Sequence, residues 1–90
     1  MRKEIKSKAL RRLKLVEGQV RGIQKMIENE KYCVDIITQS SAVKEALSGI
    51  EQLILENHLS THVLDNIKRG KEKKAVDEIL KVYKLAQRKK

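Results

Sequence analysis

The sequence predicts an all-α fold with a three-helix protomer, and three observations lead to this prediction. Apolar residues recur at steps of three and four along three stretches, the period of a helix face. The 90 residues contain no Pro, Trp or Phe and only two Tyr, which is unlike a β-sandwich or barrel. No linker or repeat interrupts the chain, so residues 1–90 are predicted to form a single domain. Because so short a chain buries little surface, we expect the protomer to be stable only in an assembly.

The first predicted helix carries one apolar stripe, made of Leu10, Leu13, Val16, Val20, Ile23 and Ile27. Ser7 is its expected N-cap and Asn29 its expected end. Gly18 and Gly22 each cost about 1 kcal/mol relative to Ala inside a helix. We therefore expect them to permit close approach of another helix, with simple tolerance as the alternative.

The second predicted helix runs over residues 33–68 and is long for so small a protein. Its seam consists of Cys33, Ile36, Ser40, Val43, Leu47, Ile50, Ile54 and His58, with His62 one turn further. Such heptad-like spacing is typical of helices that pair in a bundle. Gly70 is the expected terminator. A third helix is predicted over residues 72–87, with one face made of Ala75, Val76, Ile79, Leu80, Tyr83 and Ala86.

The charge favours a polyanionic partner, since Lys and Arg outnumber Asp and Glu by 21 to 12 and the pI is about 9.9. The basic residues are Arg11, Arg12, Lys14, Arg21 and Lys25, then Lys44, Lys68, Arg69, Lys71, Lys73 and Lys74, and the tail Arg88, Lys89 and Lys90. They predict salt-dependent binding to DNA phosphates, although solvated faces also carry such charges. The small number of aromatic residues argues against recognition of single-stranded RNA, whose bases stack on such side chains. The sequence contains no known DNA-docking motif.

The cellular compartment is expected to be the cytoplasm, and no membrane interaction is expected. The N-terminal segment lacks the apolar core of a secretory signal. No apolar run approaches the roughly 20 residues of a membrane span. The lone Cys33 cannot form an intramolecular disulfide, and is expected to be reduced.

Cys33, His58 and His62 are the candidate metal ligands. The two His residues are four apart and share a helix face, so they can chelate one ion. Cys33 lies about 37 Å from His58 along a continuous helix with a rise of about 1.5 Å per residue. The three cannot meet within one straight helix but could meet if a second copy packs antiparallel, and ordinary packing roles remain the alternative. A Cys–His nucleophile would need an orienting group and an oxyanion site, so no enzyme is predicted.

Three segments carry a resemblance to a known family: RRLKLVEGQVRGIQKMIE from Arg11, YCVDIITQSSAVKEAL from Tyr32 and ENHLSTHVL from Glu56. The chain resembles the copper-sensitive operon repressor family (CsoR/RcnR type) from about Lys8 to Leu85. The resemblance implies an antiparallel four-helix-bundle dimer and a disc-like tetramer built from two dimers. It also implies a repressor that releases operator DNA when its effector binds.

The resemblance implies a Cu(I) site shared between subunits, with ligands at Cys33, His58 and His62. His62 is a departure, because the usual copper site has Cys at that position. Nickel and cobalt sensors of the family add a His near the N-terminus, persulfide sensors use two Cys, and formaldehyde sensors carry Pro after Met1; this chain has none of these. A thiolate with imidazoles suits Cu(I), and Zn(II) is the competitor that ligand type excludes least.

The resemblance further implies that Tyr32 and Glu78 form a hydrogen-bond network around the site. Its implied DNA-binding residues are Arg12, Lys14 and Arg21, whereas a basic position of some members is Gly49 here. The predicted function is that of a Cu(I)-responsive, homotetrameric transcriptional repressor. The alternatives are a repressor of the same family sensing Ni(II), Co(II) or Zn(II), and a metal-free basic helical protein that binds DNA or scaffolds partners.

Overall fold

The structure is a computed structural model that describes residues 1–87; the predicted basic tail, Arg88 to Lys90, lies outside this part. The described chain contains helices and short connections and no strand. In order, the elements are α1 (Lys3–Glu28), α2 (Cys33–His58), a π-helical segment, here called the π turn (Leu59–Val63), α3 (Leu64–Lys68) and α4 (Glu72–Gln87). Because α2, the π turn and α3 follow one another without a break, the three predicted helical stretches are confirmed.

The ends of the helices agree with the sequence except at the start of α1. Asn29 is the C-cap of α1, and Gly70 adopts a φ of 74° directly after the C-cap of α3, as predicted. The prediction that Ser7 is the N-cap was wrong, because α1 begins four residues earlier at Lys3. The physical reason is that Ile5, which precedes Ser7 and lies one helical turn before the buried Ala9, is itself half-buried, so the apolar face continues past a good capping residue.

The chain divides into two compact units, and the first contains residues 2–54. Its core lies between α1 and the part of α2 that ends at residue 54. The buried residues are Ala9, Val16, Val43 and Ile50, and the partly buried residues packed against them are Ile23, Ala46 and Leu53. Many apolar residues of the predicted faces remain exposed, among them Leu10, Leu13, Leu47 and Ile54. One protomer therefore buries only part of the apolar pattern that its sequence carries.

The two glycines of α1 do not mark a close helix approach within the protomer. A Cβ built at Gly18 or Gly22 would meet no atom within 4 Å in the part of the chain described. The predicted close approach is therefore not made within the described chain, and for the assembly it stays a prediction.

The second unit contains the described residues from Leu55 onward, in which the π turn, α3 and α4 pack together. Val63 of the π turn and Ala75 of α4 are its most buried apolar side chains, at 4% and 2% exposure. The positive φ of Gly70 lets the chain turn from α3 into α4 within three residues. Over residues 1–87, none of the helices has the length and apolar character that crossing a membrane requires.

Replacing Ile50 with Ala is expected to lower the free energy of unfolding by about 2–5 kcal/mol, because it removes methylene groups from a well-packed core and leaves a cavity. Ile50 is 4% exposed in the first unit. Ile37 lies on the same helix at 64% exposure, so Ile37→Ala is the matched control and should cost far less. Urea denaturation followed by circular dichroism measures both. Equal losses in the two variants would show that the assigned core is wrong.

Candidate metal centre

His58, the last residue of α2, is held by a carboxylate of α4. Its Nε2 lies 3.0 Å from Oε2 of Glu78, and about a third of each side chain is exposed. Because an ionised carboxylate only accepts hydrogen bonds, the ring donates through Nε2–H. In the neutral tautomer Nδ1 then keeps its lone pair for a metal ion, and the carboxylate fixes the ring orientation, as outer-shell partners of metal-binding His do.

His62 lies in the π turn, one helical turn beyond His58. The centroids of the two imidazole rings are 5.1 Å apart, and the ring planes are inclined by 35°. The predicted pairing on one face is therefore present, although the backbone between the two residues is wider than the α-helix that the sequence predicted. π-helical segments are uncommon and often occur at functional sites.

Two hydroxyl side chains accompany the start of the π turn. Ser60 and Thr61 donate from Oγ and Oγ1 to the carbonyl oxygen of Asn57, at 3.2 and 2.7 Å. Side-chain hydroxyls that bond to preceding carbonyls compete with the regular helix ladder and often bend helices. The apolar period did not predict this feature, and the adjacent Ser and Thr between the two His residues are its signal in the sequence.

Cys33 is the first residue of α2, and its thiol is free and exposed. It belongs to the first unit, whereas His58, His62 and Glu78 belong to the second. Among residues 1–87, no group of three or more His, Cys, Asp and Glu side chains is placed to hold a metal ion. Within the second unit, the structure therefore brings together the His pair and its carboxylate.

Tyr32 precedes α2 and contributes to its first turn through the backbone. Its carbonyl oxygen accepts the N–H groups of Asp35 and Ile36 at 3.0 and 3.2 Å. The phenol ring is 70% exposed. Of the two positions that the resemblance implies around the site, Glu78 makes a hydrogen bond to His58. The role implied for Tyr32 stays a prediction.

The candidate DNA-binding residues all lie on α1, in the first unit. Arg12 is half-buried beside Gly49 and Ile50 of α2, and Lys14 is exposed. Arg21 is also exposed and lies 3.8 Å from Glu17 one helical turn earlier. A Cβ at Gly49 would meet no atom within 4 Å, so the position that is basic in some family members is open here.

Comparison with known proteins decides the family. The family model described as "Metal-sensitive transcriptional repressor" matches residues 5–84. The chain belongs to this family. Members of this family are transcriptional repressors and not enzymes, so this protein is a repressor and not an enzyme.

Similar proteins include copper sensors from several bacteria. The copper-sensing transcriptional repressor CsoR of Bacillus subtilis is 48% identical over 88% of this chain and 78% of that protein. The copper-sensing repressor RicR of Mycobacterium tuberculosis is 50% identical over 67% of this chain and 62% of that protein. The crystal structure of CsoR with Cu(I) from Geobacillus thermodenitrificans has a TM-score of 0.88 and 38% identity, covering 97% of this chain and 91% of that one. The similarities to the two CsoR proteins extend over most of the chain, and the similarity to RicR extends over about two thirds of it.

Proposed function

We propose that this repressor is a Cu(I)-responsive regulator that binds operator DNA when metal-free and releases it when Cu(I) binds. It acts in the cytoplasm as a homotetramer built from antiparallel dimers. The ligands are Cys33 of one protomer and His58 and His62 of its partner. The copper-sensing relatives support the metal, and the His58–Glu78 contact is the observation that carries the site.

The donor set fits Cu(I) better than a hard ion. One thiol and two imidazoles are soft or borderline ligands, and Cu(I) accepts low coordination numbers with such ligands. When bound, Cu(I) would supply a positive centre that a thiolate and two imidazoles can hold without a carboxylate. Cys33 is exposed at a helix start and the His rings lie 5.1 Å apart, so both halves of the donor set are accessible to a second chain.

The residues around His58 can couple metal binding at this side chain to the orientation of α4. A metal ion held by Nδ1 of His58 would polarise the ring, so that its Nε2–H would donate a stronger, charge-assisted hydrogen bond to Glu78. Because Glu78 lies on α4, this bond ties the orientation of α4 to the state of His58 at the end of α2. Metal binding then favours an arrangement of the tetramer that fits the operator poorly, with a coupling of about 1–3 kcal/mol typical of allosteric proteins.

Zn(II) is the strongest alternative effector, because a water molecule could complete a tetrahedral shell around one thiolate and two imidazoles. Ni(II) and Co(II) are the other metals of the same alternative. If the protein is instead a metal-free DNA-binding or scaffold protein, its affinity for DNA should be the same with and without each metal.

Anaerobic titration of the reduced protein with Cu(I), under competition from a strong chelator, tests the proposal. The DNA probe, here called the selected duplex, is chosen from a random-sequence library by the metal-free protein. We expect one tight Cu(I) equivalent per protomer, an ultraviolet thiolate-to-copper band, and loss of fluorescence anisotropy as the duplex is released. Tight binding without release, or release by Zn(II) alone, would contradict Cu(I) sensing.

A further inference from the structure

The net positive charge of the chain is confined to its two ends. Residues 1–28 carry nine Lys and Arg against three Asp and Glu, and residues 68–90 carry ten against three. The segment between them, residues 29–67, carries two against six. A chain that only needed solubility would have no reason to separate its charges in this way, since mixed surfaces serve that purpose. The candidate DNA residues of α1 account for the first basic region and leave the second unexplained.

The second region is densest at the connection between α3 and α4, here called the basic turn (residues 68–74). Its cations are Lys68, Arg69, Lys71, Lys73 and Lys74, and all of them are exposed. Arg69 is paired with Asp65 at 3.2 Å. Within residues 1–87, the four lysines form no ion pair with a carboxylate, and Glu72 is the only acid inside the turn. The basic turn therefore presents uncompensated cations to solvent.

The backbone of the basic turn is well held. The N–H groups of Arg69, Gly70 and Lys71 donate to carbonyl oxygens of α3, at 3.0, 3.1 and 2.7 Å. Ala75, directly after the turn, is 2% exposed and anchors the start of α4. A fixed backbone holds the lysine Cα positions in place, so that less conformational freedom is lost when they contact a regular array of charges.

Phosphates of duplex DNA are the partner that this surface fits. The basic turn contains no apolar side chain, whereas segments that bind a membrane surface combine cations with an apolar face. It also has no aromatic residue on which single-stranded bases could stack. Lysine ammonium groups contact backbone phosphates without reading sequence.

We infer that the basic turn is a second DNA-contacting surface of the repressor, which binds backbone phosphates through Lys68, Lys71, Lys73 and Lys74. The inference rests on the proposed function, because it extends the DNA contacts beyond α1. The same unit holds His62 six residues before Lys68, and α3 packs against both the π turn and α4. The basic turn thus places phosphate contacts in the same packed unit as the His pair.

The double variant Lys71→Gln/Lys74→Gln tests the inference, and Lys31→Gln/Lys44→Gln is its matched control. Both variants lose two exposed lysines, and the control uses the only two of residues 29–67. Affinity of the metal-free protein for the selected duplex is measured across salt concentrations. Each phosphate contact contributes about 0.9 to the slope of log affinity against log salt. We expect the turn variant to lower that slope by about 1–2 per contacting protomer, equally on selected and scrambled duplexes, with the control slope unchanged.

Equal slopes for the turn variant and the control would overturn the inference. So would binding to phosphatidylglycerol vesicles that only the turn variant loses while its DNA slope matches the control. Failure of the proposed function gives a different result, namely wild-type protein that binds the duplex but keeps it when Cu(I) is added. In that case the slopes still decide the basic turn. Wild-type protein that binds no duplex would overturn both.

Discussion

Replacing Cys33 with Ala is expected to abolish the response to Cu(I) while leaving operator binding by the metal-free protein intact. Cys33 is the only thiol in the chain and is exposed at the start of α2. Losing it leaves two imidazoles, so Cu(I) affinity should fall by more than the roughly 100-fold that outer-shell changes cost. The ultraviolet thiolate-to-copper band should vanish, and Cu(I) should no longer release the selected duplex.

Val34→Ala is the control for this variant, because it trims the neighbouring exposed side chain, at 53% exposure, and keeps the thiol. Its Cu(I) binding and DNA release should match those of the wild type. Chelator competition and fluorescence anisotropy are measured on both proteins. If Cys33→Ala still dissociates from DNA on Cu(I) addition, the ligand assignment is wrong.

Replacing Glu78 with Gln is expected to separate Cu(I) binding from DNA release. Gln keeps the shape of the side chain but removes the charge that receives the Nε2–H of His58 at 3.0 Å. We expect Cu(I) affinity to fall about 10–100-fold. The ratio of duplex affinities without and with saturating Cu(I), about 5–150-fold in typical allosteric proteins, should shrink toward one.

Asp77→Asn makes the same change of charge at the adjacent, exposed residue of α4, and should leave both quantities near their wild-type values. Measuring duplex affinity at saturating Cu(I) removes the effect of weaker metal binding from the comparison. If the two variants release DNA equally well, the negative charge of Glu78 does not transmit the signal.

The sequence predicted the extents of the helices well because helix formation is recorded locally. The apolar period and Gly70 located the helical stretches 33–68 and 72–87. Ser7 misled because a capping preference is worth only about 1 kcal/mol, and the half-buried Ile5 continues the apolar face of α1 beyond it. Gly18 and Gly22 make no close helix contact within the described chain; a small residue has the same sequence pattern in open space as at a helix contact.

Residue chemistry selected Cys33, His58 and His62 as candidate ligands, and family resemblance drew attention to Glu78. The periodic pattern contains no information on a contact between residues 20 positions apart in different helices. The basic turn was visible in the sequence as a charge run, but nothing there distinguished it from a solvated face.

The sequence by itself determined the helical period, the identity of the soft ligands and the separation of charge along the chain. Only the tertiary structure showed that α4 packs so that Glu78 accepts a hydrogen bond from His58, and that the backbone forms a π turn between the two His residues. These features depend on how the chain folds back through Gly70 and on competition between hydroxyl and backbone hydrogen bonds. Such competition is settled by packing across helices, which local propensity does not record.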